Sequence, residues 1–89
     1  MSGAGWRYLF TSRARRDFKR LDPPTRKRVL AALERLIGDP PAGDVVRLAG
    51  IEEWRLRVGD WRVRFERDPD ARIIYVLRVL PRGKAYRDL

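Results

Sequence analysis

The residues of this chain best suited to chemistry are arginines. Residues 54–65 read WRLRVGDWRVRF, with Arg55, Arg57, Arg62 and Arg64 each flanked by apolar side chains. Arg78 and Arg82 follow, then Lys84 and Tyr86. A guanidinium grips phosphate with a planar fork of N–H donors and stacks on bases. It stays protonated, so it stabilises negative charge in a transition state but is a poor general base. A tyrosine moves a proton only where nearby cations lower its pKa from about 10. These residue types point to an anionic ligand, above all a phosphate chain.

Composition narrows the chemistry further. The chain has no histidine and no cysteine, which removes the usual general base near neutral pH, the usual metal ligands and any disulfide. It also lacks a Gly-rich phosphate loop, a zinc ligand set or a serine–histidine arrangement. No cofactor or metal is expected. Lys and Arg number 21 against 12 Asp and Glu, for a net charge of +9. Such an excess suits a polyanionic partner, either a nucleic acid or an acidic protein. No stretch approaches the apolar length of a membrane span, and the N-terminus lacks the apolar core of a signal peptide. A cytoplasmic protein is the expectation, and 89 residues make a single domain over 1–89.

The elements that must position these arginines can be read from periodicity. WRYLFTS (6–12) suits a strand. Thr11 or Ser12 then caps a helix over 12–21, with Ala14, Phe18 and Leu21 at helical spacing. Asp22 caps a second helix that opens with Pro23. Val29, Leu30, Leu33, Leu36 and Ile37 form its apolar stripe, and Gly38 and Pro40 end it. The short connection predicts an antiparallel helical hairpin. Residues 39–44 read as a loop.

Beyond that loop the period changes to two. Gly59-Asp60 suits a type II′ turn, which places Val58 opposite Trp61, Leu56 opposite Val63 and Trp54 opposite Phe65. All six apolar side chains then share one face. Arg57 faces Arg62 and Arg55 faces Arg64 on the other. A second turn at 66–72 leads into ARIIYVLRVLPR, a nearly continuous apolar strand covered on much of both faces. Ile73, Tyr75, Leu77 and Val79 are expected on one side of it. If that set packs on the helices, Arg78 and Arg82 join the arginine face. A wet face of an antiparallel sheet is ordinary, but it usually mixes signs. Arginines opposed across strands repel, and a phosphate chain would turn that repulsion into attraction.

The order of strand, helical hairpin and three-stranded antiparallel sheet (β-α-α-β-β-β, an α+β fold) resembles the RelE/ParE superfamily of bacterial toxins. The local signals are Leu48 and Gly50 before the hairpin, Gly59-Asp60-Trp61-Arg62-Val63 at its turn, and Arg78-Val79, Arg82 and Tyr86-Arg87 at the end. The resemblance covers nearly the whole chain. It implies a toxin of a type II toxin–antitoxin pair that acts as a ribosome-dependent endoribonuclease. Such a toxin cleaves mRNA without a metal, the ribose 2′-hydroxyl attacking the adjacent phosphate. Arg55, Arg57, Arg62, Arg82 and Tyr86 fall at catalytic positions, and Arg64, Arg78 and Lys84 would add RNA contacts. Arg55 and Arg57 stand where RelE has lysines, Pro81 where many relatives have histidine, and Gly83-Lys84 where a basic–acidic pair is usual. Ribosome, mRNA and an acidic antitoxin are the implied partners. Two alternatives remain: a ParE-like toxin of DNA gyrase, and a non-catalytic RNA-binding relative.

Overall fold

The computed structural model of the chain describes residues 5–38, 41–47 and 53–84. Its elements are β1 (Arg7–Phe10), α1 (Ser12–Lys19), α2 (Pro23–Leu36), β2 (Asp44–Arg47), β3 (Trp54–Val58), β4 (Trp61–Asp68) and β5 (Ile73–Pro81). Together they form an α+β fold with a mixed five-stranded sheet in the order β1-β5-β4-β3-β2. Only β1 runs parallel to its neighbour, β5. The helices follow the expected start signals. The Thr11 hydroxyl accepts the Ala14 N–H at 3.2 Å, and Asp22 caps α2 by accepting the Thr25 N–H and hydroxyl. The Thr25 hydroxyl bond is the main reason the Asp22 carboxyl sits below its ordinary pKa.

The core lies between the helices and one face of the sheet. Ala14, Leu21, Val29, Ala32, Leu33 and Ile37 from the helical hairpin meet Leu56, Val58, Val63, Phe65, Val76 and Val79 from the strands. Leu30 departs from the expected stripe: it is exposed, and Ala32 is buried instead. An apolar stripe read at i, i+3 and i+4 is wide, and only its centre meets the sheet. Leu36 packs at the margin of the core.

Two features of the sheet differ from the sequence reading. Four strands follow the helices, because Asp44–Arg47 pairs with β3 as an edge strand. Four residues carry too little alternation to announce a strand, and by sequence Asp44 reads as the end of the loop. The second difference lies in β5. Arg64 pairs with Arg78, but Phe65 pairs with Val76, so Leu77 is an extra residue in a bulge. A bulge reverses the parity of everything beyond it. Ile74, Val76 and Val79 therefore face the core, while Ile73 and Tyr75 pair with Asp68 and Glu66 on the opposite face. Ile73, Tyr75, Leu77 and Val79 do not share one side.

The hairpin register matches expectation at every position, from Val58↔Trp61 to Trp54↔Phe65. Gly59 has φ +57°, while Asp60 is not among the positive-φ residues, as a type II′ turn requires.

Helix α1 takes over the edge of β5 where β1 stops. Thr11 donates its N–H to the Val76 carbonyl at 3.0 Å and its hydroxyl to the Leu77 carbonyl at 3.1 Å. Six residues further on, the Asp17 carboxylate accepts the Val79 N–H at 3.0 Å. The same carboxylate accepts the Arg78 guanidinium at 2.7 and 3.3 Å. Asp17→Ala should remove a bulge-side backbone acceptor and the partner of a largely buried cation together. We expect a loss of about 3 kcal/mol, read by urea denaturation, with the native far-ultraviolet spectrum retained.

Candidate nucleic-acid interface

The β3–β4 hairpin and the second half of β5 gather the arginines. Arg55 lies opposite Arg64, Arg57 opposite Arg62, and Arg64 opposite Arg78. All five occupy the sheet face away from the core, and the bulge at Leu77 is what brings Arg78 onto it. The expected arginine face therefore exists, but it is not uniformly wet. Arg55 is 4% exposed and Arg62 7% exposed, and Leu80, paired with Arg62, is buried beside them.

Most of the compensation for these cations comes from the chain itself. Arg64 donates Nε and Nη2 to the two Glu53 carboxylate oxygens at 2.6 and 2.8 Å, a bidentate pair with little solvent exposure. Arg78 does the same with Asp17. Such fork-to-carboxylate pairs are the strong form of hydrogen bond. Arg62 turns back on its own hairpin and donates Nη1 to the Gly59 and Trp61 carbonyls, both at 2.9 Å. It is thereby a strut of the turn. Arg57 meets Asp44 of the edge strand at 2.6 Å, with both side chains more than half exposed. The repulsion expected between opposed arginines is therefore relieved by intrachain carboxylates at three of the five positions.

Arg82 and Lys84 are placed differently. Both are exposed, just past β5, and neither makes an ion pair among the described residues. The Arg82 N–H donates to the Asp60 carbonyl at 2.9 Å, and the Lys84 N–H to the Pro81 carbonyl at 3.0 Å. The chain leaving β5 is thus tied to the hairpin turn. Arg78 lines two clefts. One, of about 560 Å³, also takes in Ser12, Arg13 and Arg64, and the other, of about 250 Å³, takes in Arg20, Trp61 and Lys84. Tyr86, Arg87, Leu48 and Gly50 lie outside the described residues.

Sequence reasoning missed the three carboxylates. Asp44 could be found only once β2 was known to pair with β3. Asp17 is 61 positions from Arg78 and carries no local signal. Glu53 adjoins β3, which is a faint hint at best. No group of His, Cys, Asp and Glu among the described residues is arranged to hold a metal, and no helix there is long and apolar enough to cross a membrane.

A strand, a helical hairpin and a mixed sheet with an arginine-rich outer face define a small toxin of the RelE/ParE superfamily. A family model, the ParE toxin of type II toxin–antitoxin systems (parDE), matches residues 8–86, and the chain belongs to this family. It is similar to RelE in the archaeal RelE–RelB complex from Pyrococcus horikoshii OT3, with 25% identity, TM-score 0.75, and coverage of 89% of this chain and 97% of that one. The RelB–RelE antitoxin–toxin complex from Methanococcus jannaschii shows 26% identity and TM-score 0.73 over 91% and 98% of the two chains. The toxin–antitoxin complex RelBE2 from Mycobacterium tuberculosis shows 25% identity and TM-score 0.71 over 88% and 92%. No curated protein sequence matches.

The Arg64–Glu53 pair supports a direct test. Glu53→Ala should cost about 3 kcal/mol, because it leaves a nearly buried guanidinium beside Arg55 without its carboxylate. The double variant Glu53→Leu with Arg64→Met should recover most of that loss. Denaturant titration of Glu53→Leu, Arg64→Met and the double variant would measure the coupling.

Proposed function

We propose that this toxin is an endoribonuclease that cuts mRNA on the ribosome, in the cytoplasm, and is held inactive by an acidic antitoxin. The observation that carries this reading is the placement of Arg82: an exposed cation tied through its own backbone to the turn of the arginine hairpin. The likeness to RelE over about nine-tenths of the chain supports it, and the RelB-bound neighbours support the antitoxin.

In this reaction the ribose 2′-hydroxyl attacks the adjacent phosphorus. The new O–P bond closes a cyclic phosphate as the bond to the 5′ oxygen breaks. One proton leaves the 2′-hydroxyl and one reaches the departing oxygen. Negative charge gathers on the phosphate, and Arg82 stabilises it. Arg57 assists. Its pair with Asp44 is exposed and contributes only about 0–1 kcal/mol, so a phosphate displaces Asp44 at little cost. Lys84 extends the cationic track along the RNA. The buried Arg55 and Arg62 hold the hairpin's shape and field behind Arg57, and Arg64 and Arg78 define the rim of the RNA path through their carboxylate partners. Tyr86 transfers a proton or stacks on a base.

A second reading, a ParE-like inhibitor of DNA gyrase, is favoured by the family model itself. A translation extract separates the two. Codon-phased cuts on mRNA support the ribonuclease, whereas arrest of supercoiling without cuts supports the gyrase inhibitor. Arg82→Ala should lower single-turnover cleavage by about 10²–10³ while ribosome binding changes little. Full activity in that variant would remove Arg82 from the mechanism. Tyr86→Phe should be slow if the hydroxyl moves a proton, and nearly normal if the ring only stacks.

Salt dependence tests the division among the arginines. Each phosphate contact to a single strand contributes about −0.7 to the slope of log K against log salt. Arg57→Ala should flatten the slope by about that amount. Arg64→Ala, whose fork already serves Glu53, should leave the slope unchanged. RNA binding measured across a salt series checks both.

A further inference from the structure

The smaller of the two clefts lined by Arg78 lies between the end of α1 and the last residues of β5, with a volume of about 250 Å³. Pockets for drug-sized ligands begin at about 300 Å³, so this one has room for a single ring system. Trp61, Leu21, Leu80 and Pro81 supply its apolar lining, and Arg20 and Lys84 its exposed cations. Trp61 opens β4 opposite Pro81. Its neighbours on the core face, Val58, Val63 and Phe65, are buried. The indole itself is half-buried: it packs against the core and keeps part of its surface on the cleft. Neither Arg20 nor Lys84 makes an ion pair among the described residues. The Asp17 carboxylate is also in the lining, but Arg78 and the Val79 N–H engage both of its oxygens, so it offers an incoming anion little repulsion.

An aromatic surface between two exposed cations suits one nucleotide of a single strand: the base stacks on the ring and its phosphates meet the charges. A carboxylate ligand would use the cations and leave the indole idle. A duplex would present no free base face. The position of the cleft adds a second argument. Arg82 follows Pro81 directly, with its N–H on the Asp60 carbonyl, and the Lys84 N–H closes a turn onto the Pro81 carbonyl. That turn carries the chain from Arg82 to the cleft wall, so an RNA strand held at Arg82 has the cleft beside it. We propose that the cleft is a base-binding subsite: Trp61 stacks the base of a nucleotide next to the scissile phosphate, and Arg20 and Lys84 hold the adjoining phosphates. This rests on the ribonuclease reading above and extends it. Contacts to phosphate position a strand without reading it, whereas a site that takes in a base can discriminate among codons.

The test separates stacking from charge and both from cleavage. Short oligoadenylates, each with one abasic ribose at a different position, are titrated against the full chain without ribosomes. At one position the missing base should weaken binding about five- to hundredfold. In Trp61→Leu the same abasic position should make no difference. Trp61→Phe keeps an aromatic face and should retain most of the sensitivity. Arg20→Gln and Lys84→Gln should each flatten the salt slope by about 0.7 and leave the abasic effect in place. Arg35→Gln, on the last turn of α2, should change neither. Circular dichroism checks the fold of every variant. No abasic effect at any position in the unaltered chain, or an abasic effect undiminished in Trp61→Leu, would overturn the proposal. On programmed ribosomes, Trp61→Leu should redistribute the cuts among codons. An equal loss at every codon would assign the base to ribosomal RNA and overturn its place beside the scissile phosphate. The two readings fail separately. A chain that shows the Trp61-dependent abasic effect yet cuts no mRNA keeps the base site and loses the ribonuclease. A chain that cuts mRNA with no abasic effect loses the base site alone.

Discussion

Asp17 is the side chain on which the architecture turns. Its carboxylate accepts the Val79 N–H just past the bulge and the Arg78 fork from the outer face. One residue thereby closes the sheet edge that β1 leaves open, fixes α1 against β5 and neutralises a cation on the far face. An edge strand with open N–H groups invites pairing with another chain, and covering it with a helix is one of the few ways to prevent that. Here the cover is chemical as well as steric, because Thr11 and Asp17 supply the donor and the acceptor that a sixth strand would have supplied.

The bulge at Leu77 makes this arrangement compatible with a core. Without a parity change, β5 could not send both Val76 and Val79 inward, nor could it set Arg78 opposite Arg64. The strand is apolar almost throughout, so neither face is forbidden to most of its residues. The pairing to β4 and the reach of α1 decide which ones go in. Burial of Ile73 and Leu80 on the outer side also shows that this face is not simply a solvated surface.

The arginines divide accordingly into two kinds. Those at the centre of the face are built into the fold: Arg62 on turn carbonyls, Arg64 on Glu53, Arg78 on Asp17. Those at its margins, Arg57, Arg82 and Lys84, keep solvent access and are the ones that can change partners. A small domain buries little apolar surface, and removing one member of a buried ion pair is costly, so the central cations are poorly placed to leave their carboxylates for a substrate. On the helix side of the sheet, Arg67 stacks on the rings of Trp6 and Trp54.

Much of this was legible in the order of residues alone. Both helix starts follow from Thr11 and Asp22, because a cap is a contact between residues three apart. The entire hairpin register follows from Gly59-Asp60, because a two-residue turn leaves the alternating side chains only one way to meet. The family resemblance rested on the same local motifs. What tertiary structure decided was everything that depends on distant partners. Leu30 lost its place in the core to Ala32 because the sheet touches only the centre of the stripe. Four residues after the loop became a strand only because β3 offered an edge. Leu77 slipped out of register because α1 and β4 make competing demands on β5. The arginine face read as a row of free cations because the carboxylates that answer them are near only in space: Asp44 across a strand pair, Glu53 across the hairpin, Asp17 from a helix on the other side of the chain. Periodicity determines which way a side chain points, but the charge it meets there depends on chain closure over long distances.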